Sequence, residues 1–98
     1  MPSRELRLHP AAIAEIEEAR IWYERIDPQL SVRFGSEITR AAHEALEAPD
    51  RWPADSKGRR RILLRVFPHA LVYEWRGSIV HILAVAHPSR RPEYWSER

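Results

Sequence analysis

The sequence predicts an α+β domain with the element order β-α-α-β-β-β, a helical hairpin packed on one face of a small, mainly antiparallel sheet. Three observations carry this. The first half holds two long stretches with apolar residues three or four apart, the second half holds three short runs rich in β-branched and aromatic residues, and a stretch of period two precedes them all.

Arg4-Glu5-Leu6-Arg7-Leu8 alternates polar and apolar residues, the pattern of a strand with one buried face. His9-Pro10 breaks it, and proline suits the first turn of the helix that follows. Ala12, Ile16, Ala19, Tyr23 and Ile26 then form a helical stripe, widened by Ile13 and Trp22, while Glu15, Glu17 and Glu18 read as a solvated face. Asp27-Pro28 ends this helix and starts another, because Asp caps well and Pro disfavours helical dihedrals at the preceding residue. Leu30, Phe34, Ile38, Ala41, Ala42, Ala45 and Leu46 make the second stripe, which Ala48-Pro49-Asp50 stops. Helices joined this tightly form an antiparallel hairpin. Residues 49–58 are a loop, pinned to the core by Trp52. Strands are expected at Arg61–Val66, Ala70–Trp75 and Ile79–Ala86, the last two joined by the turn Arg76-Gly77-Ser78. The nearly unbroken apolar run of the last strand marks it as central. In the tail, Trp95 is expected to fold back onto the core, and His81 to be a structural histidine. The sheet face away from the helices, or its rim, is expected to stay free for a partner.

The 98 residues make one domain, 1–98, and 44% apolar residues suffice for one modest core. There is no cysteine, which excludes disulfides and thiolate metal sites. The first ten residues hold no apolar run of signal-peptide length, and Ile79–Ala86 is too short to cross a bilayer. A cytoplasmic protein with no membrane partner is expected. The three glycines form no phosphate loop, and the five histidines show no zinc spacing, so neither cofactor nor metal is expected.

The net charge of +2 hides an asymmetry. Residues 1–50 carry six Lys/Arg against ten Asp/Glu, a balance of −4, and residues 51–98 carry ten against four, a balance of +6. A basic half points to an anionic partner, nucleic acid or an acidic protein surface. Its arginines cluster at Arg59-Arg60-Arg61 and Arg90-Arg91. Arg61 and Arg65 enter the first C-terminal strand, and His87, Arg90, Arg91 and Tyr94 follow the last. If those strands are near neighbours, the six groups converge on one rim. Arginine grips phosphate or carboxylate bidentately, histidine exchanges protons near neutrality, and tyrosine stacks on a base. Such a rim can bind an acidic protein, or it can cleave RNA without metal by activating a 2′-hydroxyl and stabilising the phosphorane.

Ala19-Arg-Ile-Trp-Tyr-Glu24, Ala48-Pro49, Trp52-Pro53, Arg61-Ile-Leu-Leu-Arg-Val-Phe-Pro68, Leu71-Val-Tyr73, Ile82-Leu-Ala-Val-Ala-His87, Arg90-Arg91-Pro92 and Trp95, in this order and spacing, resemble a toxin of the RelE/ParE superfamily. Those toxins belong to type II toxin–antitoxin systems, and the likeness is greatest to the ParE-like, plasmid-stabilisation branch. The resemblance covers almost the whole chain. It implies the RelE/ParE fold, growth inhibition, and a cognate antitoxin that neutralises the toxin in a hetero-oligomer. The superfamily holds two activities, ribosome-dependent mRNA cleavage and poisoning of DNA gyrase. The nucleases place arginines where this chain has Ala70 and Pro88, and two lysines where it has Arg61 and Leu63; their tyrosine matches Tyr94. The departures imply a gyrase inhibitor that needs no catalytic group of its own. The alternatives are a ribosome-dependent endonuclease using Arg61, Arg65, His87, Arg90 and Tyr94, with Arg65 or Arg90 in place of the missing arginines, and an inactive homologue that only binds antitoxin.

Overall fold

The computed structural model describes residues 3–98. Strand β1 (Glu5–Leu8) leads through the N-cap His9, whose Nδ1 accepts the Ala11 N–H at 3.0 Å, into helix α1 (Pro10–Ile26). Asp27 does two jobs between the helices. Its own N–H donates to the Tyr23 carbonyl and closes α1, and its carboxylate accepts the Gln29 N–H at 3.0 Å and opens α2 (Pro28–Glu47). Strands β2 (Arg59–Leu63), β3 (Ala70–Arg76) and β4 (Ile79–Ala86) follow.

The sheet runs β1-β4-β3-β2. β2, β3 and β4 form an antiparallel meander, and β1 pairs parallel to β4 with Leu6 opposite Val80 and Leu8 opposite Ile82. The expected α+β architecture, with its helical hairpin on a mainly antiparallel sheet and β4 at the centre, is the one observed. The two-residue loop Gly77-Ser78 turns β3 into β4 with Gly77 at φ 59°, a conformation glycine adopts freely. The main core lies between sheet and helices, built from Phe34, Ile38, Leu71, Tyr73, Ile82 and their neighbours, with Trp52 packed at its border as expected.

A register shift interrupts the β3–β4 ladder. Val72 pairs with Ala84 and Tyr73 with Ile82, so Leu83 has no partner opposite. The bulge reverses the alternation of β4. Ile82 and Val85, three residues apart, therefore both face the helix-side core, while Ala84 faces the other way.

Three expectations need correction. β2 begins at Arg59 and ends at Leu63, earlier than the expected Arg61–Val66. An Asp55 turn launches it, with Oδ1 accepting the Lys57 and Arg59 N–H groups. It stops because the Glu37 carboxylate of α2 takes the Arg65 N–H at 2.6 Å and pulls that segment off the ladder. Secondly, Ile26 does not belong to the buried stripe of α1 and Ile13 and Trp22 do not widen it, for all three are exposed, Trp22 and Ile26 at 62%. Only the line Ala12-Ile16-Ala19-Tyr23 meets the core. Thirdly, the sheet face away from the helices is not free. The tail after β4 folds across it, and Trp95, 2% exposed, packs on Val72 and Ala84. Trp95 anchors the tail as expected, but on the far side of the sheet.

Candidate target-binding cleft and the carboxylate behind it

The basic residues of β2 alternate in direction, as a strand requires. Arg60 turns to the helix side, where Nη1 donates to the Trp52 carbonyl at 2.6 Å. Arg59 and Arg61 turn to the far face and flank Trp95, their guanidinium carbons 5.8 and 5.3 Å from its ring centre. Arg59 is fixed further by a 2.8 Å bond to the Ser96 carbonyl. β4 delivers His87 at its end, and the turn after it brings Arg90, Arg91 and Tyr94 back over the same face.

A cleft of about 250 Å³ results on the far face. Arg61, His87, Arg90, Arg91 and Tyr94 line it, over a floor that includes Leu63 and Ala70. Five of the six rim residues expected from sequence thus come together. Arg65 does not join them, since it lies in the β2–β3 connection, exposed, with its backbone held by Glu37.

The individual groups are already engaged. His87 Nδ1 accepts the Ser89 N–H at 3.0 Å and lies 2.7 Å from the Ser89 hydroxyl. The Arg90 guanidinium carbon sits 4.2 Å from the centre of the Tyr94 ring. The Tyr94 hydroxyl donates to Glu15 at 2.7 Å, and burial, followed by the bonded Glu15 carboxylate, pushes its pKa far above the ordinary phenol value.

Glu15 departs from the solvated face expected of it. It is no solvated helix-face carboxylate, for its side chain is only 11% exposed. Arg98 clasps it bidentately at 3.0 and 3.1 Å, Tyr94 binds one oxygen, and the Val85 N–H donates to the other at 3.0 Å. Arg98 also donates to the Leu83 carbonyl at 3.0 Å. β1 pairs with β4 only as far as Ile82, so β4 runs on past its neighbour with polar backbone uncovered. Glu15 and Arg98 satisfy that backbone and lock the tail to α1 in one stroke. Burial works against ionisation of Glu15, yet the Arg98 and Tyr94 bonds and the Val85 N–H outweigh it and hold its pKa below the ordinary 4.5. A sequence signal existed: Glu15 falls three after Ala12 and four before Ala19, within the apolar spacing of the helix.

A larger cleft of about 620 Å³ opens on the other side of the His87–Arg90–Tyr94 wall, bounded by Trp22 and Arg25 of α1. At its base His69, 6% exposed, is wedged against Phe34 and His87 with ring centres 4.9 and 5.0 Å apart. Burial, aided by His87, lowers its pKa to about 4, so it is neutral at physiological pH.

The sequence model described as "ParE toxin of type II toxin-antitoxin system, parDE" matches residues 6–92. The chain belongs to the ParE toxin family. Among solved structures, this ParE-family toxin is similar to a chain of the chromosomal ParDE TA system from P. aeruginosa, with a TM-score of 0.76 at 15% identity over 89% of this chain and 98% of that one. At that identity the likeness attests the fold. No curated protein matches the toxin closely enough to be counted a relative. Among the described residues, no helix is long and apolar enough to cross a membrane.

Proposed function

We propose that this ParE-family toxin inhibits DNA gyrase by binding it, and that a cognate antitoxin neutralises the toxin by covering its basic cleft. The observation that carries the first half is the state of Tyr94. It is the one nuclease-like side chain that matches outright, and its hydroxyl is committed to Glu15 with a strongly raised pKa. Ala70 and Pro88 stand where nuclease arginines are expected. What remains in the cleft is a cationic rim, Arg61, Arg90 and Arg91, over an apolar floor, a surface suited to gripping an acidic protein. Purified gyrase, ATP and the toxin should accumulate cleaved DNA–gyrase complexes. Unchanged supercoiling at excess toxin, with codon-specific mRNA cuts in a translating extract lost on Tyr94→Phe, would replace this reading with the nuclease one.

For the antitoxin, the supporting feature is the free outer edge of β2 with the connection that follows it, where Leu63 is 71% and Val66 52% exposed beside Arg61 and Arg65. A disordered acidic segment that folds along this edge would bury the apolar pair and place carboxylates on the arginines. Charge reversal at Arg61, Arg65 or Arg90 should weaken the complex by roughly 1–3 kcal/mol each. Titration calorimetry against the antitoxin measures this directly, and wild-type affinity in all three folded variants would remove both the basic cleft and the Arg65 connection from the interface.

A further inference from the structure

Among the described residues, none covers the outer face of α1 around Ile21 and Trp22. Ile21 is 57% exposed and Trp22 62%, a concentration of apolar surface that an isolated small domain tolerates poorly. Glu18 and Arg25 flank Trp22 on the same helix face, and both border the larger cleft. They stand two turns apart, roughly 10 Å along the axis, too far to pair with each other. Among the described residues neither makes an ion pair.

We propose that this face is the interface of a homodimer, in which two α1 helices pack antiparallel about a two-fold axis near Trp22. The charge order on the face selects the second copy as occupant. An isologous contact sets residue i against j and j against i. With the axis near Trp22, Glu18 of each protomer meets Arg25 of its partner, so two ion pairs form from charges that make none among the described residues of one protomer. The same rotation brings each Trp22 ring to the mouth of the other protomer's cleft, whose volume of about 620 Å³ accommodates an aromatic side chain. Each α1 thus offers both halves of the contact, an aromatic anchor and a hollow beside it. The interface lies apart from the β2 edge and goes beyond the toxin reading, which stands or falls on the gyrase assay alone.

Sedimentation velocity of the full chain over a range of concentrations tests the proposal. The wild type should shift from monomer to dimer. Glu18→Arg sets arginine against arginine and Arg25→Glu sets glutamate against glutamate, so each single change should weaken dimerisation at least about tenfold. Both sites are solvent-facing, and unchanged thermal melting would verify that each variant folds. The double variant Glu18→Arg/Arg25→Glu should dimerise again, and an equimolar mixture of the two single variants should form a heterodimer, because each then supplies the charge the other lacks. A wild type that stays monomeric at every concentration would overturn the proposal, including the case in which this face binds the antitoxin instead. Failure of both the double variant and the mixture to recover would overturn it as well.

Discussion

Replacing Glu15 with alanine should lower the free energy of unfolding by about 3–5 kcal/mol, the usual penalty for removing one member of a buried, hydrogen-bonded ion pair. The change leaves the Arg98 guanidinium, the Tyr94 hydroxyl and the Val85 N–H without their acceptor in a region where water enters poorly. A domain of this size has only about 5–15 kcal/mol in all. Urea titration followed by circular dichroism gives the difference, and a loss under about 1 kcal/mol would mean that the contacts carry no such weight. Glu15→Gln keeps the shape and can still accept from some donors, so its loss should be smaller. The ionisation has a pH signature. Because the folded-state pKa lies below the ordinary 4.5, the stabilisation is fully present above that value and disappears as pH falls through the folded-state pKa. The wild type should therefore lose stability on acidification from pH 5 downward more steeply than Glu15→Gln.

Trp95→Ala should be comparably severe, about 3–5 kcal/mol for a large aromatic removed from a buried site. Here the loss is packing rather than charge. The indole fills the far face of the sheet over Val72 and Ala84, with Arg59 and Arg61 at its borders. Without it the tail loses its apolar anchor and the rim loses the surface that orients its arginines. The variant should melt at least ten degrees lower, at about 4–8 °C per kcal/mol for a domain of this size. Trp95→Phe, which retains part of the packing, should fall between. An unchanged melting curve for Trp95→Ala would show that the tail adds nothing to the core.

The helices and strands were legible because their patterns are dictated locally. Asp27-Pro28 both stops and starts a helix by its own chemistry, and the apolar run Ile79–Ala86 has no plausible place except the middle of the sheet. What escaped reading were features set by non-local partners. Glu15 sits among glutamates, and nothing in its vicinity reveals that Arg98 will arrive to neutralise it. The end of β2 is fixed by Glu37, a residue of another helix. Trp22 and Ile26 satisfy the helical period as well as Tyr23 does, but periodicity names a stripe without stating its width. Here the sheet covers only the narrow line through Ala12 and Tyr23. The convergence of Arg61, His87, Arg90, Arg91 and Tyr94 was legible in outline, since strand ends on one side of a meander must come together. Arg65 lies apart from that group because β2 ends three residues short of the expected Val66.

The Glu15 clasp and the β1–β4 pairing also govern when the molecule becomes whole. The partners of Glu15 lie 70, 79 and 83 residues further along the chain. During synthesis at about 5–20 residues per second, the finished helical hairpin, which ends at Glu47, therefore waits roughly 2–10 seconds for the strand and tail that complete it. Over that interval Tyr23 and Phe34 have no sheet to pack on, and Arg61, Arg90 and Tyr94 are not yet gathered. A nascent chain therefore lacks this surface until the tail after β4 has been made, and one cut short within β4 or the tail never assembles the surface proposed to hold its target. The proposed target-binding surface, on this topology, belongs only to chains that carry both β4 and the tail behind it.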